Sequence, residues 1–557
     1  MNAHATTHSH GSDAHGDDVN YLNWKTGIWS WITSTDHKRI GIMYLVTILF
    51  FFFLGGLAAL IMRLELANAG PDFLTPKIYN VMFTLHGALM IFLFIVPGIP
   101  ATMGNFLLPL MIGAKDVVFP RMNLLSYYVY VVGAIMAIIA LIMPASGHLF
   151  DITKWADTGW TFYAPYSIES GGAVVMMTAA AFVLGFSSIL TGLNFIVTIH
   201  KLRAPGMTWG RLPVFVWASY ATAVIQTLAT PVVGITLVLL ICERLFGIGI
   251  FNPKLGGDPV LYQHFFWFYS HPVVYIMVLP AFGVIGEIIP VFSRKPIFGY
   301  KAVCYATLCI AIAGFLVWAH HMLVAGISDT SAIYFSAITF SVAIPTAVKV
   351  FNWVSTMYKG SIRFTTPMLF AMGFVFLFMI AGTTGVYLAT LAVDVFYHDT
   401  YFVVAHFHYT IQGGAAIGLI AALYFWFPKM TGKMYSDTFG KFTWLLIFVG
   451  FNLTFLPQFV LGMEGMPRRY FDYLPQFESM HKVSTVGAFV NGLGYFLAIM
   501  HLAWMAKFGK KCAENPWESL SIEWQCPSPP PHENFHEIPV VTDWTYGYGK
   551  PVEGSSH

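Results

Sequence analysis

The fold is decided by stretches such as residues 400–427, which read TYFVVAHFHYTIQGGAAIGLIAALYFWF. No Asp, Glu, Lys or Arg interrupts this stretch, and about 20 apolar residues are enough to cross a bilayer as an α-helix. It nevertheless contains His406 and His408. An ionisable side chain at the centre of a membrane helix is costly, roughly 2.5–3.5 kcal/mol for the charged types. The stretch therefore predicts a transmembrane helix whose histidines bind something.

The composition extends this prediction to the whole chain. Of its 557 residues, 57% are hydrophobic and 10% are charged, whereas an ordinary soluble domain is about 25% charged. A net charge of +2 gives no argument for a nucleic-acid partner, and the five cysteines contain no Cys-x-x-Cys pair that would indicate a thiolate metal site. We predict an all-α integral membrane protein with twelve transmembrane helices, near residues 40–62, 78–111, 123–144, 171–199, 212–241, 261–288, 299–327, 333–357, 366–390, 400–427, 442–463 and 480–507.

The basic residues predict the orientation of the bundle. The side of the membrane that holds both termini carries 20 of the 29 Lys and Arg, the other side carries 8, and Lys349 lies within a span. Because basic residues are enriched on the cytoplasmic side, we expect both termini in the cytoplasm. Three regions follow: a polar N-terminal tail (1–35), a twelve-helix domain (36–510) and a Pro-containing C-terminal tail (511–557), which we expect to be extended surface coil.

Six histidines lie within the predicted helices at a common depth. Counted from the predicted helix ends at 1.5 Å per residue, all six lie roughly 9–15 Å below the non-cytoplasmic surface. Any one of them could be a hydrogen-bonded core histidine, but histidines kept for unrelated packing reasons would not share a depth. Imidazole is the commonest ligand of metals and haem iron, so we predict an intramembrane redox centre. The six are His86, His271, His320, His321, His406 and His408.

Helical geometry divides the six histidines into three sites. Successive residues of a helix are about 100° apart, so His406 and His408 point in nearly opposite directions and can serve two haems on either side of one helix. His408 with His86 makes a six-coordinate haem, and His406 alone leaves one haem face open. The remaining imidazoles form a site suited to copper or zinc with an open position. They are His271, His320 and His321.

Five short motifs carry a resemblance to a known family: Thr84-Leu85-His86-Gly87, His271-Pro272-Val273-Val274-Tyr275, Trp318-Ala319-His320-His321-Met322, Tyr397-His398-Asp399-Thr400 and Arg468-Arg469-Tyr470. From about residue 36 to 531 the chain resembles the catalytic subunit, subunit I, of the haem–copper oxygen reductases, in the cytochrome c oxidase branch. The resemblance implies that O2 is reduced to water, coupled to proton uptake and pumping, in a bacterial-type inner (plasma) membrane. It also implies low-spin haem a, high-spin haem a3 and copper B, held by the six histidines in the grouping given above.

The resemblance implies further roles around these cofactors. Tyr275 matches the tyrosine that is covalently joined to its neighbouring copper ligand and supplies an electron and a proton when the O–O bond breaks. A tyrosine at the membrane interface would be the ordinary alternative, but its depth in the helix argues against it. Arg468 and Arg469 match the pair that holds the haem propionates, where a solvated loop is the alternative. Arg63 matches the arginine that hydrogen-bonds the haem a formyl group.

Two more ion sites are implied. His398 and Asp399 resemble the ligands of a magnesium ion above the haems, which another subunit completes. Glu65 resembles part of a peripheral calcium site.

Oxygen reduction near the non-cytoplasmic surface requires protons from the other side, and Lys349 lies on one route. A lysine near the inner end of a helix could simply reach the interface, but Thr346, one turn away, favours a hydrated path. In the family, this pair carries protons to the tyrosine. A serine that usually stands at the mouth of the path is replaced here by Gly286.

A second proton route begins at Asp116, which could otherwise be a plain loop carboxylate. The best-known members of the family end this route with a glutamate at the position of Val273, but a subgroup carries Tyr-Ser before the copper histidine instead. Because Tyr269 lies one helical turn from Val273, we read Tyr269 and Ser270 as the substitute terminus; aromatic packing is the alternative. The intermediate steps implied are Asn105, Asn123, Ser187, Ser188 and Asn194.

The electron donor is predicted to be cytochrome c. Quinol-oxidising relatives carry polar residues at four positions that are apolar here: Leu54, Ala58, Ile78 and Val81. No copper A cluster can be built from these cysteines, so electrons enter through subunit II, which carries copper A, and we expect further oxidase subunits.

Three other classes of protein remain as alternatives. A nitric oxide reductase shares the histidines but lacks the tyrosine one turn after the first ligand, so Tyr275 argues against it. A twelve-helix transporter would make the common depth a coincidence, and no internal repeat is evident. A di-haem electron carrier would leave three histidines without a role.

Overall fold

The computed structural model describes residues 19–142 and 154–548. Its architecture is a bundle of long apolar helices, which confirms the predicted all-α membrane fold. The strand residues within the described ranges form one short antiparallel pair, Lys433–Met434 with Lys510–Lys511. The long helices are α1 (His37–Glu65), α2 (Pro76–Met111), α3 (Pro120–Ile142), α4 (Val174–Lys201), α5 (Val214–Phe246), α6 (Pro259–Ser293), α7 (Tyr300–Gly314), α8 (Asp329–Met357), α9 (Thr366–Ala389), α10 (Tyr401–Thr431), α11 (Asp437–Met463) and α12 (Glu478–Phe508).

Helix α7 is the exception in length. Eleven of the described helices are long and apolar enough to cross a bilayer, and α7 is a shorter apolar helix. The sequence predicted one continuous span over 299–327, but the α-helix ends at Gly314 and a 3₁₀ turn follows at Trp318–Met322. The prediction was wrong here because the apolar residues continue past the helix end, and hydropathy does not report backbone conformation.

Helices α2, α6 and α10 form the centre of the bundle. In their apolar windows 72%, 89% and 83% of the residues are buried within the protein, against at most 50% in the other eight helices of spanning length. The less buried helices have one face left for lipid, whereas the three central helices are surrounded by protein. These three helices carry His86, His271, His406 and His408.

Two central helices change their winding next to a histidine. Helix α2 contains the π-helical segment Leu89–Ile95, and α10 contains Ile411–Ala416. Each segment begins three residues after a histidine, His86 in α2 and His408 in α10. Single π-turns inside α-helices are frequent at functional sites. Helix α2 also contains Pro97, Pro100 and Pro109 and still continues to Met111. Its π-helical segments Leu89–Ile95 and Pro100–Gly104 are wider than α-helix and leave more room for the proline rings.

Helix α6 is interrupted at His271. Its two parts are Pro259–Ser270 and Pro272–Ser293, with His271 as the residue between them. Pro272 has no backbone N–H and crowds the preceding turn, which is sufficient to break the regular helix there. The break lies in a buried part of α6, where 6% of the surface of His271 is exposed.

Both ends of the described chain lie on one side of the bundle, which we call the terminal side; for example, the Tyr21 amide donates to the Pro530 carbonyl oxygen at 3.1 Å. The expectation of an exposed C-terminal coil was wrong for residues 511–548. This segment has little regular structure, but Trp524, Asn534 and Tyr546 are all buried. Its aromatic side chains pack against the helices. The prediction considered only the prolines of the segment and did not take these aromatic residues into account.

Candidate functional site

Three imidazoles converge at the break in α6. The ligand atoms of His271, His320 and His321 lie within 4.8 Å of one another, and this is the one group of three or more potential metal ligands found in residues 19–142 and 154–548. Metal–imidazole bonds are about 2 Å long, so three donors on one ion lie roughly 3–4 Å apart. The cluster therefore fits a metal ion after small side-chain adjustments. The break at His271 and the 3₁₀ turn after α7 bring the three together.

Neighbouring side chains fix how these imidazoles face. His320 Nδ1 is hydrogen-bonded to Thr339 Oγ1 at 3.2 Å. The ring of His321 stacks on Trp267 with centroids 3.8 Å apart and planes 12° apart. His271 Nδ1 lies 3.1 Å from His321 Nε2, inside the cluster. Such outer contacts orient metal ligands, and neither Thr339 nor Trp267 was predicted, because threonine and tryptophan are ordinary residues of membrane helices.

Tyr275 lies against the other side of the His271 ring. Its hydroxyl is 2.9 Å from His271 Nε2, as expected for residues i and i+4 on one helix face. The close approach of α7 depends on Gly314, where an added Cβ would be 2.6 Å from Tyr275 Cδ2. A glycine near a helix end carries no such signal in the sequence, so its role became visible only in three dimensions.

His86 and His408 face each other across α2 and α10. Their rings are nearly parallel, 10° apart, with centroids separated by 6.2 Å. Two iron–nitrogen bonds of about 2 Å plus two ring radii of about 1.1 Å give roughly 6.2 Å, so an iron fits between the rings. Each Nδ1 donates to a backbone carbonyl oxygen, that of Gly55 at 3.0 Å for His86 and that of Val404 at 2.8 Å for His408. Each Nε2 is therefore the nitrogen left for a ligand bond.

His406 projects from the other face of α10. Its Nδ1 is hydrogen-bonded to Thr384 Oγ1 of α9 at 3.0 Å, and it lies near His320 of the three-histidine cluster. At Gly385 an added Cβ would be 3.0 Å from His406 Cε1. Thus α10 presents one histidine to His86 and the other toward the cluster, as the helical angle predicted.

The side of the bundle opposite the terminal side holds two arginines above the histidines. The Arg468 amide donates to the Asp399 carbonyl oxygen at 2.8 Å, and Arg468 Nε is 3.7 Å from Asp399 Oδ1. Burial, with the charge of Arg469 beside it, lowers the pKa of Arg468 to about 9. Arg469 Nε finds no hydrogen-bond partner among the described residues. Two half-buried guanidiniums whose charges are incompletely neutralised favour an anionic ligand.

His398 and Asp399 are adjacent to this pair. His398 Nε2 lies 3.9 Å from Asp399 Oδ2, and His398 Nδ1 lies 3.1 Å from Asp394 Oδ2. The Asp399 side chain is 67% exposed, whereas Asp394 is buried. The predicted magnesium ligands thus lie side by side, and Asp394, which no motif indicated, orients the imidazole.

Arg63 and Glu65 lie at the end of α1. Arg63 Nη2 donates to the His481 carbonyl oxygen at 2.7 Å and to Thr485 Oγ1 at 2.9 Å, while its buried Nε finds no partner in the described part of the chain. The Glu65 carboxylate accepts hydrogen bonds from the backbone amides of residues 72, 73 and 74 at 2.9–3.1 Å. Its oxygens are occupied in closing this loop, which explains its burial without an ion. The calcium role stays a prediction.

Lys349 is buried in α8, with 2% of its surface exposed. Its Nζ lies 5.5 Å from the centroid of the Phe282 ring. Thr346, one turn away, donates its hydroxyl to the Val342 carbonyl oxygen. At Gly286 an added Cβ would be 2.6 Å from Val214 Cγ2. The packing of α5 against α6 therefore gives a steric reason for glycine where relatives carry serine.

The predicted second route begins in the loop between α2 and α3. Burial raises the pKa of Asp116 to about 7. Asn194 Oδ1 accepts a hydrogen bond from the Phe119 amide, and Asn194 Nδ2 donates to the Phe119 carbonyl oxygen, both at 3.1 Å. The side chain of Asn194 therefore holds the loop and is not free to line the predicted route. Asn105 Oδ1 and both polar atoms of Asn123 are buried and find no partner among residues 19–142 and 154–548.

Further along the predicted route, Tyr44 contacts Ser187, a neighbour that the sequence did not indicate. Its buried hydroxyl lies 2.9 Å from Ser187 Oγ and 3.1 Å from Ser126 Oγ. Tyr44, Ser126 and Ser187 lie on three different helices, α1, α3 and α4. The sequence pattern within any one helix therefore could not show that they are in contact. Tyr269 and Ser270 are buried in α6, at the far end of the proposed route.

Comparisons with known proteins identify one family over most of the chain. The model of the family described as cytochrome c and quinol oxidase polypeptide I matches residues 39–490. The chain is 45% identical to cytochrome c oxidase subunit 1 of Thermostichus vulcanus, over 94% of each chain. It is 42% identical to that of Cereibacter sphaeroides, over 92% of this chain and 96% of the relative. A solved haem–copper terminal oxidase dimer shares the fold, with a TM-score of 0.70 at 20% identity over 87% of this chain and 86% of that one.

Proposed function

Because the chain belongs to the family of cytochrome c and quinol oxidase polypeptide I, we propose that its six intramembrane histidines hold haem a, haem a3 and copper B. As a member of this family it is the catalytic subunit of a haem–copper terminal oxidase, an oxidoreductase of the respiratory chain that works in a membrane complex with other subunits. It reduces O2 to water.

The ligand assignment follows the geometry of the rings. The parallel pair His86 and His408 holds haem a, because both Nε2 atoms are left for one iron. His406 holds haem a3, oriented by Thr384. Copper B is held by the three-histidine cluster at the break in α6. This convergence of three imidazoles beside Tyr275 is the observation that carries the proposal.

Tyr275 acts at the same site. The haem held by His406 and the copper held by His271, His320 and His321 would supply O2 binding and electrons at this site. The Tyr275 hydroxyl, in contact with His271 Nε2, supplies a proton and an electron close to the reacting oxygen. Trp267, stacked on His321, excludes water from one face of the cluster. The contact between Tyr275 and His271 favours this chemistry over nitric oxide reduction.

The arginines and the acidic residues near the opposite side complete the cofactor sites. Arg468 and Arg469 hold haem propionates, which would neutralise their half-buried charges. Arg63 donates its unpartnered Nε–H to the haem a formyl group. His398 and Asp399 bind magnesium at the boundary with another subunit. Glu65 belongs to a calcium site, with carboxylate oxygens that also accept hydrogen bonds from backbone amides.

Protons reach the site by two routes from the terminal side, which we place in the cytoplasm. One passes Thr346 and Lys349 toward Tyr275. The other begins at Asp116 and ends at Tyr269 and Ser270, which take the place of a glutamate at Val273. Its intermediate steps are Asn105, Asn123, Ser187 and Ser188, with Tyr44 beside Ser187, and Asn194 holds the loop at its entrance. Some of these protons are pumped across the bacterial plasma membrane.

Electrons come from cytochrome c through the copper A of subunit II. The four apolar residues at the quinol positions support this donor, and this chain offers no cysteine pair for copper A. The test is O2 uptake by the purified complex with reduced cytochrome c. We expect uptake that is lost in His320→Asn and retained in His200→Asn, whose histidine is bonded to Tyr220 on the terminal side. Uptake driven by quinol alone, or reduction of nitric oxide without O2 uptake, would contradict the proposal.

A further inference from the structure

Helix α5 carries a row of buried polar side chains for which packing gives no reason. Thr222, Gln226 and Thr230 are 1%, 3% and 1% exposed. They follow one another at intervals of four residues, so they lie on one side of the helix and span about 12 Å along its axis. The oxygens Thr222 Oγ1, Gln226 Oε1 and Thr230 Oγ1 find no hydrogen-bond partner within residues 19–142 and 154–548.

Other threonines of the same helix behave differently. Thr227 donates its hydroxyl to the Ala223 carbonyl oxygen at 2.9 Å, and Thr236 donates to that of Val232 at 2.7 Å. This bond to the preceding turn is the usual way in which a threonine hydroxyl is satisfied inside a membrane helix. Thr222 and Thr230 do not make this bond, so their hydroxyls remain available to a partner outside their own helix. A buried polar group without a partner costs about 1–3 kcal/mol, and buried water is the ordinary means of satisfying it.

The row faces α4 at the point where the two helices come closest. At Gly192 an added Cβ would be 3.2 Å from Gln226 Cβ, and at Gly185 it would be 3.1 Å from Thr230 Cγ2. Ser188 lies on α4 between these two glycines, and its buried Oγ also finds no partner in the described part of the chain. The second proton route, which runs along α4 through Ser187 and Ser188, therefore meets α5 at the level of Gln226 and Thr230.

The other end of the row reaches α6. The Tyr269 hydroxyl lies within hydrogen-bonding reach of the Thr230 side chain, although the two groups do not meet at a regular hydrogen-bond geometry. Ser270 Oγ, one residue on, is buried and without a partner among the described residues. Polar atoms that need water are thus present in sequence from Ser188 on α4, through Gln226 and Thr230 on α5, to the end of the predicted route.

We propose that Gln226 and Thr230 form the crossing by which protons pass from α4 to Tyr269, with Thr222 extending the hydrated row toward the terminal side. The proposal rests on the proposed function, since it connects the two ends of the second route. The Thr230 hydroxyl accepts a proton from one water while releasing its own to the next acceptor, so its charge and bonding are unchanged after each transfer. Gln226 does not ionise; it is a positioning residue whose amide orients the waters.

The experiment compares Thr230→Val and Gln226→Leu with the control Thr227→Val, whose hydroxyl is already satisfied within its helix. Each complex is purified, its haem spectrum is recorded, and it is reconstituted into vesicles to measure O2 reduction and proton release per electron. We expect both variants to keep the wild-type spectrum but to lose about tenfold or more in turnover, or to lose proton release. Thr230→Ser, which keeps the hydroxyl, restores both. Turnover and proton release equal to those of Thr227→Val would overturn the proposal.

A second measurement separates this proposal from the proposed function. A density map of the wild-type complex that resolves water should show ordered water between Thr230, Gln226 and Ser188. A dry contact at this place would overturn the crossing even if the enzyme reduces O2. Water at this place in a complex that does not reduce O2 would instead retain the hydrated crossing and refute the oxidase function.

Discussion

At the residue scale, the site depends on the side chains that orient the histidines as much as on the histidines themselves. The histidines could be predicted because an ionisable side chain is costly within a membrane and therefore indicates a functional site. Their partners could not. Thr384 bonds His406 Nδ1, yet it also bonds the backbone of its own preceding turn, as most membrane threonines do. Gly314 looks like any small residue until its distance to Tyr275 is measured.

Replacing Thr384 by valine tests this dependence. The variant keeps the shape of the side chain but removes the partner of His406 Nδ1, and loss of such an outer contact costs about 10- to 100-fold in ligand affinity or activity. We expect a shifted carbon monoxide difference spectrum and O2 uptake lowered about tenfold. The control is Thr383→Val, because the Thr383 hydroxyl bonds only the Met379 carbonyl oxygen. Equal behaviour of the two variants would contradict the assigned role of Thr384.

Gly314→Ala tests the space required by Tyr275. The added methyl group would come 2.6 Å from Tyr275 Cδ2, so the ring must move away from its contact with His271. We expect O2 uptake to fall about tenfold or more, since misplacement of a reacting group by about 1 Å can cost 100-fold. The spectrum of the haem between His86 and His408 should be unchanged. Gly382→Ala, with no atom within 4 Å of the new methyl group, should keep full activity.

Asp116 gives a pH dependence of stability. Burial raises its pKa from 3.8 to about 7, so the folded protein favours the neutral carboxyl. Its stabilising contribution is complete below about pH 4 and is lost as the pH rises through about 7. The melting temperature of the purified complex should therefore fall more between pH 5 and 8 in the wild type than in Asp116→Asn. Asp543→Asn, at an exposed carboxylate, should keep the wild-type slope; identical slopes in all three would refute the prediction.

At the scale of elements, the sequence located the helices but not their interruptions. Unbroken apolar stretches predicted α2, α6 and α10, because lipid requires satisfied backbone and apolar surface. The break at His271, the 3₁₀ turn at Trp318–Met322 and the π-helical segments are local responses to proline and to packing between helices. These interruptions of the helices position the histidines, and hydropathy contains no information about them.

The C-terminal segment 511–548 was likewise missed, because prolines suggested exposed coil. Tyr546 anchors it: the hydroxyl donates to Glu287 Oε1 at 2.8 Å and accepts from the Val214 amide at 2.8 Å. Tyr546→Phe leaves both buried groups short of a partner, a cost of about 1–3 kcal/mol. We expect faster cleavage of the segment in limited proteolysis. Tyr305→Phe, at an exposed ring of α7, is the control, and equal cleavage rates would show that the hydroxyl does not hold the segment.

At the scale of the whole molecule, a common depth of six histidines was enough to predict one redox centre within a twelve-helix bundle. A common depth can be read from helix ends and the rise per residue alone. Contacts between helices that are distant in the sequence cannot be read in this way. Tyr44 meets Ser187, and Gln226 meets the glycine side of α4, only because α1, α4 and α5 pack together. The sequence therefore anticipated the grouping of the six histidines, which the structure shows, better than the contacts along the two proton routes, which stay predictions.

The central claim is that the six histidines divide into a closed haem site, an open haem site and a copper site. The most direct test is the reduced-minus-oxidised optical spectrum of the purified complex, with and without carbon monoxide, together with its copper content. The account predicts haem A bands of which one part shifts with carbon monoxide and one part does not, with copper present. A fully assembled complex without haem bands, or with haem that does not respond to carbon monoxide, would contradict it.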